Sequence, residues 1–153
     1  MDNFYSSLAI GKRGEQMVAD ALTARKHIVK DVSDDLEYRR KDIDYVLINQ
    51  RGQQTTLEIK NDTRSESTNN FFVETYNSNN KSHSYKGWFY YCEAEYICFL
   101  QENNRKAYIV SLDELKDNID ANNYRAANSS NARGFLMPIA TLQGFNSFFC
   151  MAV

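Results

Sequence analysis

Proline is almost missing from this chain. Among 153 residues there is one, Pro138, and only six glycines. No Pro/Gly-rich linker divides the sequence, and its length suits one domain, 1–153, with a single sizeable core. Long apolar runs are missing too. Runs such as Trp88 to Cys92 and Ile97 to Leu100 fall far short of the roughly 20 residues that a spanning helix needs. The opening Met1-Asp2-Asn3-Phe4-Tyr5 has no basic stretch leading into an apolar one, so no targeting signal and no membrane partner is expected.

Cysteine is scarce and odd in number, three at uneven spacings. That suits reduced thiols in a cytoplasm better than a disulfide framework. Cys92 and Cys98 lack the CxxC spacing of a zinc site and read as small buried hydrophobes. The only histidines, His27 and His83, have no Ser or Cys partner in a triad motif, and no phosphate-binding glycine loop is present. A basic excess is also lacking. The net charge is −2, which counts mildly against nucleic acid but leaves room for a local basic patch beside acidic metal ligands. The groups Lys12-Arg13, Arg25-Lys26 and Arg39-Arg40-Lys41 each read as solvated surface.

What is present is a folding composition, with ten Tyr and nine Phe. Leu8, Met17, Val18, Ala21 and Leu22 trace one stripe of a helix over about Ser7 to Arg25, with Gly11 and Gly14 early in it for close approach of a neighbour. His27 to Val32 predicts a short strand, and Ser33 to Lys41 a loop. Ile43 to Asn49 and Thr55 to Lys60 predict a hairpin around Gln50-Arg51-Gly52-Gln53. Phe71 to Glu74 reads as a strand between polar loops. Trp88 to Cys92, Tyr96 to Gln101 and Lys106 to Val110 read as further sheet. Ser111-Leu112-Asp113-Glu114 is a capping box that starts a helix running to about Ile119. Phe135 to Ile139 and Gly144 to Ala152 close the core. The order predicts an α/β domain with a mixed or antiparallel central sheet flanked by helices.

The chemistry concentrates in Asp42-Ile43-Asp44 and, after the hairpin turn, Glu58-Ile59-Lys60. Strand alternation puts Glu58 and Lys60 on one face and Leu57 and Ile59 on the other. The hairpin brings Asp44 within reach of Glu58. Two close carboxylates repel, and a divalent cation resolves this. Asp44 and Glu58, aided by the Ile59 carbonyl, suit Mg²⁺ or Mn²⁺, an ion that activates water and offsets phosphate charge. Lys60 would position or help deprotonate that water, or stabilise developing negative charge. The bland alternative is an exposed salt-bridging pair on an amphipathic strand.

These residues and their order resemble the PD-(D/E)xK nuclease superfamily, which includes restriction enzymes and Holliday-junction resolvases. The matching string is a helix with Gly14-Glu15, then Asp42-Ile43-Asp44, a hairpin, and Glu58-Ile59-Lys60. Asn70-Phe71-Phe72-Val73-Glu74, Gly87-Trp88 and Glu93-Ala94-Glu95-Tyr96 further resemble small phage or prophage members. The likeness covers about Ile10 to Phe99, more faintly Tyr108 to Leu115. It departs at the leading proline, where Lys41 stands before Asp42, and at Glu95, where an Asp is usual.

The resemblance implies a restriction-endonuclease-like fold and Mg²⁺- or Mn²⁺-dependent hydrolysis of DNA. Asp44 and Glu58 would hold metal with the Ile59 carbonyl, Lys60 would handle the nucleophile, and Glu15 would support the metal through water. Glu74 and Asp42 are candidate additions to the site. Lys86 and Arg64 are candidate contacts to the DNA backbone, and a homodimer would supply two sites for two strands. The rivals are a non-cleaving module of the same fold that binds nucleic acid or protein, and an interaction domain with an incidental acidic hairpin.

Overall fold

Helix α1 (Asp2–Ala24) opens the chain in a computed structural model that describes residues 2–153. Met1, the first residue of the expected domain, lies outside the described residues. Val18, Ala19 and Leu22 form the buried stripe of α1, whereas Leu8 is exposed. Gly14 permits the close approach expected of it, but to side chains rather than backbone: a Cβ there would stand 2.8 Å from Asn61 Nδ2 and 2.9 Å from Leu100 Cδ2.

Next come β1 (Ile28–Asp31), α2 (Leu36–Arg40), β2 (Tyr45–Ile48) and β3 (Gln54–Asn61). They are followed by α3 (Ser65–Thr68), β4 (Asn70–Asn77), α4 (Trp88–Tyr91), β5 (Tyr96–Gln101), β6 (Lys106–Ser111) and α5 (Leu112–Ala121). The chain ends with β7 (Ala126–Asn128), β8 (Ala132–Pro138), α6 (Ile139–Leu142) and β9 (Phe149–Ala152).

The main sheet is six-stranded and open, in the order β1-β2-β3-β5-β6-β9. Its ladders are antiparallel except β3 with β5, which is parallel. A parallel pair needs a crossover, and here residues 62–95 provide it. This crossover carries β4, which founds a second sheet in the order β4-β8-β7. The protein is thus a mixed α/β fold around a mixed open sheet with flanking helices.

Each face of the main sheet has its own core. On one, Leu57, Ile59, Cys98 and Leu100 pack with Val18 and Leu22 of α1. On the other, Ile97, Phe99 and Val110 pack with Phe71 and Val73 of β4, Trp88 and Phe89 of α4, and Leu115 of α5. Phe71 stacks on Phe99 with ring centroids 4.6 Å apart. The second sheet therefore covers much of a face that the sequence assigns to helices.

Close packing of β4 on β8 depends on Gly134, where a Cβ would collide with the Val73 carbonyl oxygen. Gly134→Ala should destabilise the protein by about 1–3 kcal/mol, since backbone cannot yield as a side-chain end can. Urea unfolding measures this. An unchanged midpoint would mean that the two strands separate more easily than their ladder implies.

Several local expectations are corrected. Trp88 to Cys92 is a helical turn, not a strand. Both edges of β5 are already paired, with β3 and β6, so this aromatic run buries Trp88 and Phe89 from one turn instead. The Ser33 to Lys41 loop contains α2, capped by the Asp35 side chain. In the capping box, Ser111 Oγ accepts the Glu114 N–H as expected. The Glu114 carboxylate does not return to Ser111 but accepts from the Asn146 and Ser147 N–H groups, while Ser111 N–H donates to Ser147 Oγ.

Candidate active site

The hairpin turn forms as its sequence indicates, with Gly52 at φ 75 and the Gly52 N–H donating to the Asn49 carbonyl. At the far end of this hairpin the two strands part. Asp42 adopts φ 55, a left-handed conformation that Asp tolerates better than most residues. The chain therefore leaves the ladder there, and β2 begins at Tyr45 rather than at Ile43. Asp44 stands one residue outside the strand. It is still anchored on both sides: its N–H donates to the Leu57 carbonyl at 3.0 Å, and its carbonyl accepts from Val32 N–H at 2.9 Å. Its Oδ2 accepts from Ile59 N–H at 2.9 Å, taking the place of a ladder bond.

Alternation along β3 runs as expected. Leu57 and Ile59 pack toward α1, while Lys60 Nζ lies 5.4 Å from the Trp88 ring centre on the other face. Glu58 is only 5% exposed. Lys60 donates to Glu58 Oε1 at 2.7 Å and to Asp42 Oδ2 at 2.9 Å. Asp42 is thus the second anchor of the lysine. Asp44 and Glu58 are close enough for each charge to bear on the other, and two neighbouring carboxyl groups favour a shared proton or cation.

The electrostatics follow from this crowding. Burial, reinforced by Asp42 and Asp44, pushes the Glu58 carboxyl well above its usual range despite Lys60. Burial raises Asp44 as well, against the Ile59 N–H and Lys60. Burial works against the Lys60 charge, but Asp42 and Glu58 together outweigh it and hold the ammonium protonated well above its ordinary value. Glu15 is raised by burial and by the nearby Asp44 charge, with Lys12 at 3.4 Å opposing. Glu15 therefore belongs to the same electrostatic neighbourhood as Asp44.

A cavity of about 710 Å³ adjoins this group. Ile59, Lys60, Glu74, Trp88 and Tyr91 line it, and so does Arg64. Asp42, Asp44, Glu58 and Glu15 are not among its lining residues. Glu74 is raised by burial; the Asn77 amide at 3.2 Å and the Trp88 N–H hold it, and the Lys60 charge favours its ionised form. Lys86 is exposed beyond β4 and does not line the cavity. Among the described residues, no three His, Cys, Asp or Glu side chains are disposed to hold a metal ion. The carboxyl groups at the fork are those of Asp44, Glu58 and Asp42, the last bonded to Lys60.

Two nearby residues carry no motif in the sequence. Asp62 Oδ1 accepts from the Arg64 and Ser65 N–H groups and its Oδ2 from Phe72 N–H, so one carboxylate ties the end of β3 to β4. The Asp-x-x-Ser spacing is its only local signal, that of an Asx turn opening a helix. Asn61 Nδ2 donates to the Ile10 carbonyl and to Glu102, joining β3 to α1. The buried cysteines behave as small hydrophobes: burial raises the Cys92 thiol to about 12, and its Sγ donates to the Asp42 carbonyl.

No family model matches this chain, and no curated protein or solved structure does. No helix among the described residues is long and apolar enough to cross a membrane.

Proposed function

We propose that this chain is a metal-dependent nuclease of restriction-endonuclease-like fold that hydrolyses DNA phosphodiester bonds. The observation that carries the reading is the Lys60 ammonium bonded at 2.7 Å to Glu58 and at 2.9 Å to Asp42 where β2 and β3 part, with Asp44 held beside them by the Ile59 N–H. The donor chemistry fits a hard cation. Mg²⁺ commonly uses one or two carboxylates and keeps several waters, so Asp44 and Glu58 suffice while Asp42 stays with Lys60. Asp44, Glu58 and the Ile59 carbonyl would hold Mg²⁺ or Mn²⁺, with Glu15 contributing through water. When bound, the ion supplies positive charge that polarises a phosphate oxygen and acidifies a water.

The chain's own groups do the rest. Asp42 holds the Lys60 side chain in place. The ammonium, kept charged by its two carboxylates, donates hydrogen bonds to the phosphate oxygens and orients the attacking water. Packing of Lys60 against Trp88 limits the water around it. Cutting both strands would call for a second copy, and the same chemistry serves RNA.

One observation favours a second reading, a non-cleaving module of the same fold. The Lys60 ammonium already bonds both Asp42 and Glu58, as in a site where an internal cation serves for structure alone. A cleavage assay separates the two readings: plasmid, linear, single-stranded and four-way-junction DNA with Mg²⁺ or Mn²⁺, each against EDTA. Cutting that EDTA abolishes is the expected result. No cutting of any of these by folded protein would favour the non-cleaving module.

A further inference from the structure

Phe71 and Val73 of β4 are fully buried, so the alternate residues Asn70, Phe72 and Glu74 face outward, and all three line the cavity beside Lys60. Phe72 lies opposite Leu136 across the β4–β8 ladder, and Leu136 lines the cavity too. Together they form an apolar platform on the open side of the small sheet. The cavity volume, about 710 Å³, lies within the roughly 300–1,000 Å³ typical of small-molecule sites. Space also remains on the α1 side, where a Cβ at Gly11 would meet no atom within 4 Å.

The polar groups around this platform include amides, the free cation Arg64, and the carboxylates of Glu74 and of Asp62, whose oxygens are taken up by backbone N–H groups. Asn61 commits its Nδ2 to two acceptors, and its Oδ1 is buried with no partner and no accessible surface. Asn70 and Asn128 line the same cavity. The Arg64 side chain lines it without an ion pair or hydrogen bond to any described residue. Amides offer both donors and acceptors, as the edge of a heterocycle requires. A flat apolar platform accepts its face. A guanidinium beside them suits phosphate. Two cations, Arg64 and Lys60, are too few to follow a duplex backbone, whose binding rests on many phosphate contacts.

We propose that this cavity is a nucleobase pocket that takes one unstacked nucleotide, its base on the Phe72–Leu136 platform and its phosphate between Arg64 and Lys60. The substrate is then a single strand, a frayed end or a flipped nucleotide rather than uninterrupted duplex. The role given to Lys60 rests on the nuclease reading; binding of the base does not.

Trp88 is the only tryptophan and lines the cavity, so its fluorescence reports occupancy. In EDTA, a short oligothymidylate should quench it saturably, whereas an abasic strand of equal length and a relaxed closed-circular duplex should not. Phe72→Ala should weaken oligothymidylate binding by about 5- to 150-fold, the range of one lost stacking contact, and Phe72→Tyr should restore it. Phe72 is half-exposed and points away from the core, so both variants should fold. Arg64→Ala should reduce the slope of log affinity against log salt by about 0.7, the loss of one phosphate contact on a single strand.

Quenching by the abasic strand as strong as by oligothymidylate, an unchanged Phe72→Ala protein, or no binding would each overturn the pocket. The same oligonucleotides with Mg²⁺ or Mn²⁺ separate this inference from the one beneath it. Cutting of the circle without pocket binding leaves the nuclease and removes the pocket. Base-dependent binding without any cutting leaves the pocket and removes the nuclease.

Discussion

Lys60→Ala should lower the rate of metal-dependent DNA cleavage by about 10²- to 10³-fold, the usual cost of removing one aimed charge-stabilising donor. The lysine is placed for this by two bonds, to Asp42 at 2.9 Å and to Glu58 at 2.7 Å, so no neighbouring cation can take over. Arg64, the unpaired cation of the cavity wall among the described residues, comes from the loop beyond β3. The same substitution removes the counter-charge of a nearly buried glutamate. Breaking a buried pair costs about 3–5 kcal/mol, but Lys60 and Asp42 keep 23% and 21% of their side-chain surface in solvent. The discounted cost is about 1–3 kcal/mol. Single-turnover cleavage together with urea unfolding checks both numbers. A folded Lys60→Ala protein that cuts at the wild-type rate would remove Lys60 from the chemistry.

Glu58→Gln should do the opposite to stability while also abolishing metal-dependent cutting. The carboxyl groups of Glu58, Asp44, Glu15 and Glu74 are all raised in the folded protein, chiefly by burial. A raised acid folds best with its proton on. Its contribution is complete below the ordinary values of 4.5 for Glu and 3.8 for Asp, and is lost as pH rises through the folded value. Asp31, Glu102 and Glu114 are shifted down, so they are already ionised at pH 5 and do not offset this loss at higher pH.

In EDTA the wild-type protein should therefore lose stability between pH 5 and pH 8. Glu58→Gln should lose less, and at pH 8 should exceed wild type by on the order of 1–2 kcal/mol, because Lys60 retains Asp42 as partner. Mn²⁺ at a hundred times its dissociation constant should restore about 2.7 kcal/mol to wild type at pH 8 and little to Glu58→Gln. Equal stabilisation of the two proteins by Mn²⁺ would place the ion elsewhere. Identical pH profiles would mean that Glu58 is not the strained carboxyl.

The elements legible in the sequence are those whose signal is local. Helix α1 shows its expected stripe at Val18 and Leu22, which are buried, though not at Leu8, and the β2–β3 hairpin shows its turn at Gly52. The runs Tyr96 to Gln101 and Lys106 to Val110 are apolar enough to read directly as strands. The faces of Glu58 and Lys60 were equally readable, because alternation follows from strand geometry whatever the fold.

Pairing between distant segments was not readable in this way. Strand β7, Ala126–Asn128, has almost no β propensity, and exists through its ladder with β8. Trp88 to Tyr91 has strong β propensity and became a helical turn for want of a free strand edge. Asp42 reads as a weaker candidate than Asp44, yet it is the residue that holds Lys60, because a left-handed turn swings it there. The cavity joins the end of β3 to β4, β8 and α1, segments far apart in the chain, so Phe72 and Asn61 carry no motif that marks them.

The sequence alone determined which residues could do chemistry and which strand face they share, since these depend on residue type and backbone period. Only the tertiary structure decided that Asp42 holds the lysine, that a second sheet covers the outer core, and that a cavity lined partly by amides adjoins them. Those outcomes depend on long-range pairings, whose loop-closure cost is repaid only when the whole core assembles.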